Sequence, residues 1–156
     1  MDKLSKSIIQ FLQRQGFVIV STLDPGGKIH CSAKGIVGAD QNKVYLIDLY
    51  KARTFNNLTK NPTVTITAVD EHEFIGFALK GIARIVNRDD FKGQVVQDWE
   101  EKLINRISKR VIKNVKQDKG SLKHPEAAFP QPEYLIEVEV QEVVDLAPPN
   151  LKRAAI

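Results

Sequence analysis

The chain of 156 residues is 42% hydrophobic and 27% charged and carries a net charge of +4, a composition typical of a folded, water-soluble protein. It has no apolar run near the roughly 20 residues that a membrane helix needs, and its single cysteine, Cys31, rules out an intrachain disulfide. We therefore expect one domain over residues 1–156, located in the cytoplasm and without a membrane segment, and the mild basic excess favours anionic partners.

The first 50 residues predict one helix and three strands. Lys3–Gln15 places its apolar residues on one helical face and ends at Gly16, while its glutamines and Arg14 interrupt any signal-peptide core. β-Branched and apolar runs then alternate with two polar turns, Asp24–Gly27 and Ala39–Asn42. The predicted strands are Phe17–Leu23, Ile29–Val37 and Val44–Leu49.

The rest of the chain predicts a short helix, two strands, a long helix and a final strand. Thr54–Lys60 suits two helical turns that end at Asn61-Pro62. Arg88–Lys116 carries one apolar stripe at helical spacing, with acidic residues early and basic residues late, as the helix dipole favours. The predicted strands are Thr63–Val69, Phe74–Val86 and Tyr134–Val144, and Gly76 and Gly81 are candidates for bulges or sharp bends.

This order of elements predicts a mainly β fold. Most of the strands are joined by short turns, which leave no room for the crossover connections that parallel neighbours need. Six antiparallel strands with few helices favour a small closed or nearly closed barrel. We expect a six-stranded antiparallel barrel with an N-terminal helix, a short helix after strand 3 and a long helix before the last strand.

Several common site motifs are missing. The sequence has neither a G-x-x-x-x-G-K-[ST] phosphate loop nor a G-x-G-x-x-G dinucleotide motif, and no nucleophile elbow. Its three histidines, His30, His72 and His124, are far apart in the sequence, and Cys31 has no C-x-x-C partner, so we expect no metal site.

The segment between Lys102 and Lys123 holds eight basic residues and one acidic residue, Asp118. It is either the solvated face of a helix or a surface for an anionic substrate or an acidic redox partner. A nucleic-acid partner is not expected, because no aromatic residue for base stacking stands beside these cations. Trp99 falls on the apolar stripe and is interpreted as a core or dimer contact.

The segment Leu49–Pro62, LYKARTFNNLTKNP, predicts an anion site. A strand ends there, and a turn with Lys51 and Arg53 runs into a helix that begins near Thr54. The first turn of a helix offers unpaired N–H groups and a partial positive charge, and arginine can grip a phosphate with two parallel hydrogen bonds. The alternative is an exposed turn with solvated cations and a threonine helix cap.

The order of these features resembles the pyridoxamine 5′-phosphate oxidase-like family of FMN-binding split β-barrels. The resemblance covers Gly16–Val86. It rests on a glycine turn followed by His30 and Ser32, the basic turn ahead of Asn57-Leu58, Asn61-Pro62 leading into a strand, and the Gly-x-Ala of Gly81–Ala83.

The resemblance implies a homodimer with FMN at the subunit interface. The FMN phosphate is expected at Lys51, Arg53 and Thr54, with Asn57 nearby. The isoalloxazine ring is expected along the backbone of two segments, Ser32, Ala33 and Lys34 in one strand and Ile47, Asp48 and Leu49 in the next.

Two departures from the family pattern bear on activity. Thr54 stands where a lysine often follows the arginine, and Asp145-Leu146-Ala147-Pro148 stands where the B6-oxidising enzymes have Arg-Leu-x-Pro. An aspartate there would repel the phosphate of a B6 substrate, so a true pyridoxine 5′-phosphate oxidase is not expected. The main hypothesis is an FMN-dependent oxidoreductase acting on a small molecule or a redox partner, with no catalytic side chain named. The alternatives are a non-catalytic FMN electron-transfer module and a deazaflavin- or haem-binding relative.

Overall fold

The computed structural model describes residues 3–87, 97–98, 100–101, 132 and 134–152. Six antiparallel strands close into a barrel in the order β1-β2-β3-β6-β5-β4, with β4 pairing back onto β1. The elements are α1 (Lys6–Gln13), β1 (Phe17–Leu23), β2 (Ile29–Ala39), β3 (Lys43–Asp48), α2 (Arg53–Lys60), β4 (Thr63–Asp70), β5 (Ile75–Asn87), β6 (Tyr134–Asp145) and a 3₁₀ turn (Pro149–Leu151). The predicted mainly β antiparallel barrel is confirmed, as are its N-terminal helix and the short helix after strand 3.

The barrel core follows from the alternation that the strands show in sequence. Val18 and Val20 of β1, for example, are buried, whereas their neighbours Phe17 and Ile19 are exposed. The inward side chains of all six strands meet in one apolar cluster. Strands β1 and β3 run in the same direction, because each is antiparallel to β2. Helix α1 precedes the start of β1 and α2 follows the end of β3, so the two helices lie at opposite ends of the barrel, which we call the α1 end and the α2 end.

The β1–β2 hairpin has the turn chemistry that its sequence indicates. The Asp24 carboxylate accepts hydrogen bonds from the backbone N–H groups of Gly26 and Lys28, each at 2.9 Å. Gly27 has a φ of 79°, a conformation that side chains rarely adopt. The turn is therefore fixed, and it holds Lys28 and His30 at the α2 end.

Gly81 lies at the bulge that its sequence predicts. The register of β5 against β6 shifts between Lys80 and Gly81. A Cβ atom on Gly81 would lie 2.1 Å from the backbone oxygen of Glu139. The bulge brings two backbones into a contact that only glycine allows.

The predicted long helix Arg88–Lys116 lies mostly outside the described residues. Within it, Gln97, Asp98, Glu100 and Glu101 are helical. Trp99, His124 and the basic segment from Lys102 to Lys123 also lie outside them. None of the described helices has the length and apolar content to cross a bilayer.

Candidate functional site

Helix α2 is fastened over its end of the barrel by two polar residues. The Thr54 hydroxyl is hydrogen-bonded to the Ser32 hydroxyl at 2.7 Å, and the Asn57 amide donates to the Thr22 hydroxyl at 3.0 Å. Thr54 and Asn57 are only 2% and 5% exposed. Because buried polar groups are costly unless paired, these two hydrogen bonds fix the position of α2 relative to β1 and β2.

The N-terminus of α2 is an uncapped, positively charged turn. Ala52 occupies the N-cap position and has no side-chain oxygen to accept from the first-turn N–H groups. Arg53 is exposed there. The exposed Lys51 lies before it, with its ammonium 5.2 Å from the centre of the Phe55 ring. The turn therefore offers N–H donors and two cations to an anion.

An open groove of about 550 Å³ separates the β1–β2 turn from α2. Its walls include Arg53, which the sequence predicts to bind phosphate, and the buried Asn57. The other polar or charged lining residues are Lys28, His30, Asn56, Lys60 and Asp24. Among the described lining residues, three cations thus face a single carboxylate, and the groove is electropositive.

Three charged or polar side chains meet inside the barrel beneath α2. Lys34 pairs with Asp48 at 2.9 Å, with side chains 14% and 3% exposed. The Tyr134 hydroxyl donates to the other oxygen of the same carboxylate. Burial raises the pKa of Tyr134, and its hydrogen bond to Asp48 and the Asp48 charge raise it further, so the hydroxyl stays protonated and keeps donating.

The two segments predicted to hold a ring lie beside each other. The β2–β3 ladder ends at the pair of Gly35 with Ile47, so Ala33 and Leu49 flank the point where the two strands separate. Side chains alternate there: Ala33 is exposed on the outer face, whereas Lys34 and Asp48 meet inside the barrel. On the same outer face Leu49 is half-buried, and Ile47 is buried against Leu135 in a second apolar cluster, so a flat ligand there would reach Ala33 and Leu49 but not the Ile47 side chain.

The structure brings the predicted site residues to the α2 end of the barrel but gives some of them other partners. The Thr54 hydroxyl, predicted to face a phosphate, is bonded to Ser32, and the Asn57 amide is bonded to Thr22. Lys28, Asn56 and Lys60 line the groove without having been predicted from the sequence. Two of these residues could have been found from the sequence. Asn56 and Lys60 follow Arg53 at i+3 and i+7, a spacing that puts all three on one helix face.

Solved structures share this barrel at low sequence identity, so they support the fold alone. A Lactobacillus delbrueckii protein assigned provisionally as a pyridoxamine 5′-phosphate oxidase superposes with a TM-score of 0.63 at 15% identity, covering 92% of this chain and 95% of its own. An F420 reductase gives a TM-score of 0.60 at 15% identity, covering 90% of this chain and 98% of its own. HutZ, the heme storage protein from Vibrio cholerae, gives a TM-score of 0.54 at 19% identity, covering 91% of this chain and 94% of its own.

The sequence also matches a family model. No curated protein sequence matches the chain. The model for pyridoxamine 5′-phosphate oxidase matches residues 4–145, a span that includes α1, α2, strands β1 to β6 and the groove. This match confirms the resemblance found in the sequence: the chain belongs to the pyridoxamine 5′-phosphate oxidase family.

Proposed function

We propose that the protein binds FMN at the α2 end of the barrel and acts as an oxidoreductase. The observation that carries this proposal is the position of Arg53. It is an exposed arginine at the uncapped N-terminus of α2, inside an electropositive groove. Family membership supports a flavin as the ligand.

The residues at the α2 N-terminus fit a phosphate monoester. Arg53 can supply a bidentate, charge-assisted pair of hydrogen bonds, and Lys51 can add a second charge. The first-turn N–H groups and the helix dipole favour an anion at the same place. Thr54 contributes its backbone N–H, while its hydroxyl holds the helix to Ser32.

The flavin ring is proposed to lie along Ser32–Lys34 and Ile47–Leu49, where β2 and β3 separate. Bound there, FMN would supply the hydride or electron transfer, and the protein would supply binding and orientation. The Lys34 side chain lies inside the barrel, where it pairs with Asp48, so a ring on the outer face would meet the backbone of Lys34 and not its ammonium.

A second copy of the chain is proposed to cover the outer face of β1 and β2. Ile19 and Ala33 are direct cross-strand partners there, and both are exposed. Apolar side chains on a barrel face next to a ligand site suit a subunit contact. The FMN would then lie at the interface of a homodimer.

The proposed substrate is a small molecule or redox partner other than a phosphorylated B6 vitamer. Asp145 ends β6, and its carboxylate accepts a hydrogen bond from the backbone N–H of Ala147 at 2.9 Å. Asp145 pairs with Phe77 at the α1 end of the barrel, so it would face a substrate beside the flavin only from the second copy of the chain, where its charge would oppose a second phosphate. A cytoplasmic location is part of the same proposal.

The visible absorption spectrum of the purified protein tests the proposal. We expect flavin bands, or their appearance after the colourless protein is mixed with FMN and desalted. Consumption of a reduced nicotinamide with a small acceptor would then support an enzyme, and electron exchange with a protein partner alone would support an electron-transfer module. A protein that neither carries nor takes up a flavin would contradict the proposal.

Haem is the second candidate cofactor, because His30 lines the groove and histidine is a standard axial ligand. HutZ, a heme storage protein, has the same barrel. A deazaflavin is the third, since an F420 reductase also has this barrel. The same spectrum separates the three, because haem gives an intense Soret band and a deazaflavin absorbs at shorter wavelength than FMN.

A further inference from the structure

The groove extends well beyond the place proposed for the FMN phosphate. Arg53, Asn56 and Lys60 stand at i, i+3 and i+7 of α2 and share one helix face. At 1.5 Å of rise per residue, Arg53 and Lys60 are about 10 Å apart along the helix axis. A phosphate held by Arg53 and the helix N-terminus therefore leaves Lys60 at the far end of the same wall.

The opposite wall adds Lys28 and His30 from the β1–β2 hairpin. Within residues 3–87 and 134–152, the ion pairs are formed by other lysines and arginines, so no described carboxylate pairs with Lys28, Arg53 or Lys60. Asp24 is the carboxylate nearest to Lys28 in the sequence. One of its oxygens accepts hydrogen bonds from two backbone N–H groups of its own turn. The groove thus keeps an excess of positive charge beyond Arg53.

The groove is also larger than one phosphate requires. Its volume of about 550 Å³ lies within the range of roughly 300–1,000 Å³ found for sites that take drug-sized ligands. A chain of cations about 10 Å long suits a ligand with more than one anionic group. Lysines suit such a ligand because the charge sits on a flexible stem and needs no single geometry.

We propose that the groove binds phosphate of a dinucleotide, beyond the flavin phosphate, through Lys28, Asn56 and Lys60. The proposal rests on the proposed function, because it places the flavin phosphate at Arg53. This phosphate has two sources with the same chemistry. It is either the adenosine-side phosphate of the flavin itself, bound as its adenine dinucleotide, or the diphosphate of a nicotinamide dinucleotide that reduces the flavin.

The test is a double variant, Lys28→Gln with Lys60→Gln, compared with Lys6→Gln with Lys80→Gln. All four lysines are exposed, and both double variants remove two positive charges. Affinity for ADP is measured by calorimetry, and affinities of the apoprotein for FMN and FAD by quenching of flavin fluorescence. Circular dichroism checks that both variants are folded.

We expect the groove variant to bind ADP about tenfold more weakly than the wild type, as loss of charge-assisted contacts to phosphate implies. FMN affinity should fall by less than about threefold, because exposed charges away from the phosphate contribute little. The control variant should bind all three ligands like the wild type.

Two further results distinguish the sources of this phosphate. A tenfold loss of FAD affinity indicates the flavin dinucleotide. A comparable rise in KM for the reduced nicotinamide, with FMN already bound, indicates the reductant. Equal ADP affinity in the wild type, the groove variant and the control would overturn the proposal.

The measurements of ADP and FMN binding distinguish failure of the flavin proposal from failure of the groove proposal. ADP binding is measured without any flavin, so the dependence on Lys28 and Lys60 is read independently of FMN. If ADP binding depends on these lysines and FMN does not bind, the flavin assignment fails and the nucleotide groove stands. If FMN binds and ADP is insensitive to both variants, the groove assignment fails alone.

Discussion

Asp48 of β3 accepts hydrogen bonds from Lys34 on one neighbouring strand and from Tyr134 on the other. The carboxylate is 3% exposed, so one buried group ties β2, β3 and β6 together just below the turn that leads to Arg53. Tyr134 also contacts the Phe55 ring of α2 edge-on, with centroids 5.1 Å apart. The interior of the barrel and the proposed phosphate site are therefore connected by direct contacts.

Replacing Asp48 with asparagine should destabilise the protein strongly. The substitution leaves the Lys34 ammonium, 14% exposed, without its counter-charge, and breaking a buried pair in this way typically costs about 3 kcal/mol or more. Chemical denaturation measures the change. The matched control is Glu142→Gln, which breaks the exposed pair with Lys80 and should cost less than about 1 kcal/mol. Equal effects of the two substitutions would mean that the Asp48 pair is not a structural element of the barrel.

Glu137 should make the stability of the barrel depend on pH in the acid range. A hydrogen bond from Lys43 lowers the pKa of Glu137 below its ordinary 4.5, and Arg84 lowers it further. Because the folded-state pKa is depressed, the stabilisation is complete above about pH 4.5 and is lost as the pH falls through the folded-state pKa.

The measurement is the free energy of unfolding of wild type and Glu137→Gln between neutral pH and pH 3. The difference between them should be largest near neutral pH and should shrink as the pH falls below 4.5. A difference that stays constant over this range would show that the substitution acts through packing and not through charge.

Gly81→Ala should disrupt the bulge between β5 and β6. The new Cβ would lie 2.1 Å from the Glu139 oxygen and 2.9 Å from its carbonyl carbon, and backbone atoms cannot yield as a flexible side chain can. We expect a loss of about 3 kcal/mol or more, at the upper end of overpacking effects. Gly38→Ala is the control, since a Cβ there meets nothing within 4 Å and Gly38 also lies at a register shift. A Gly81 variant as stable as the Gly38 variant would contradict the close backbone contact at this bulge.

Thr54→Val should weaken the attachment of α2 to the barrel. It removes the partner of the half-buried Ser32 hydroxyl, and leaving that group unpaired should cost about 1 kcal/mol, the lower end of the range for buried polar groups. Thr59→Val on the same helix removes an exposed hydroxyl that bonds to the Asn56 carbonyl, so it should cost less. Thermal unfolding compares the two. A smaller effect at Thr54 than at Thr59 would argue against this anchoring role.

Local pattern in the sequence is enough to predict the barrel. Alternating burial in strands such as Thr63–Asp70 and turn residues such as Asp24 and Gly27 correspond closely to what the structure shows. The bounds of β1 are as predicted, and no predicted strand end differs from the observed one by more than two residues, since strand ends depend on pairing as well as on side-chain pattern.

The polar contacts of the site cannot be predicted in the same way. Lys34, Asp48 and Tyr134 meet only because β6 lies next to β3, although Asp48 and Tyr134 are 86 residues apart in the sequence. Likewise, the sequence predicts that Thr54 faces a ligand. Its hydrogen bond to Ser32 cannot be predicted from the sequence, because that contact depends on how α2 lies over β2. Side-chain partners across the barrel follow from strand order, which periodicity alone does not determine.

The affinity of FMN for Arg53→Ala tests the central claim most directly. The titration uses flavin fluorescence, and Arg14→Ala provides a matched control, since Arg14 is an exposed arginine next to α1 at the opposite end of the barrel. We expect Arg53→Ala to bind FMN about 10- to 100-fold more weakly than wild type, as the loss of charge-assisted hydrogen bonds to a phosphate implies, while Arg14→Ala binds like wild type. Unchanged FMN affinity in a folded Arg53→Ala protein would contradict a flavin phosphate site at the N-terminus of α2.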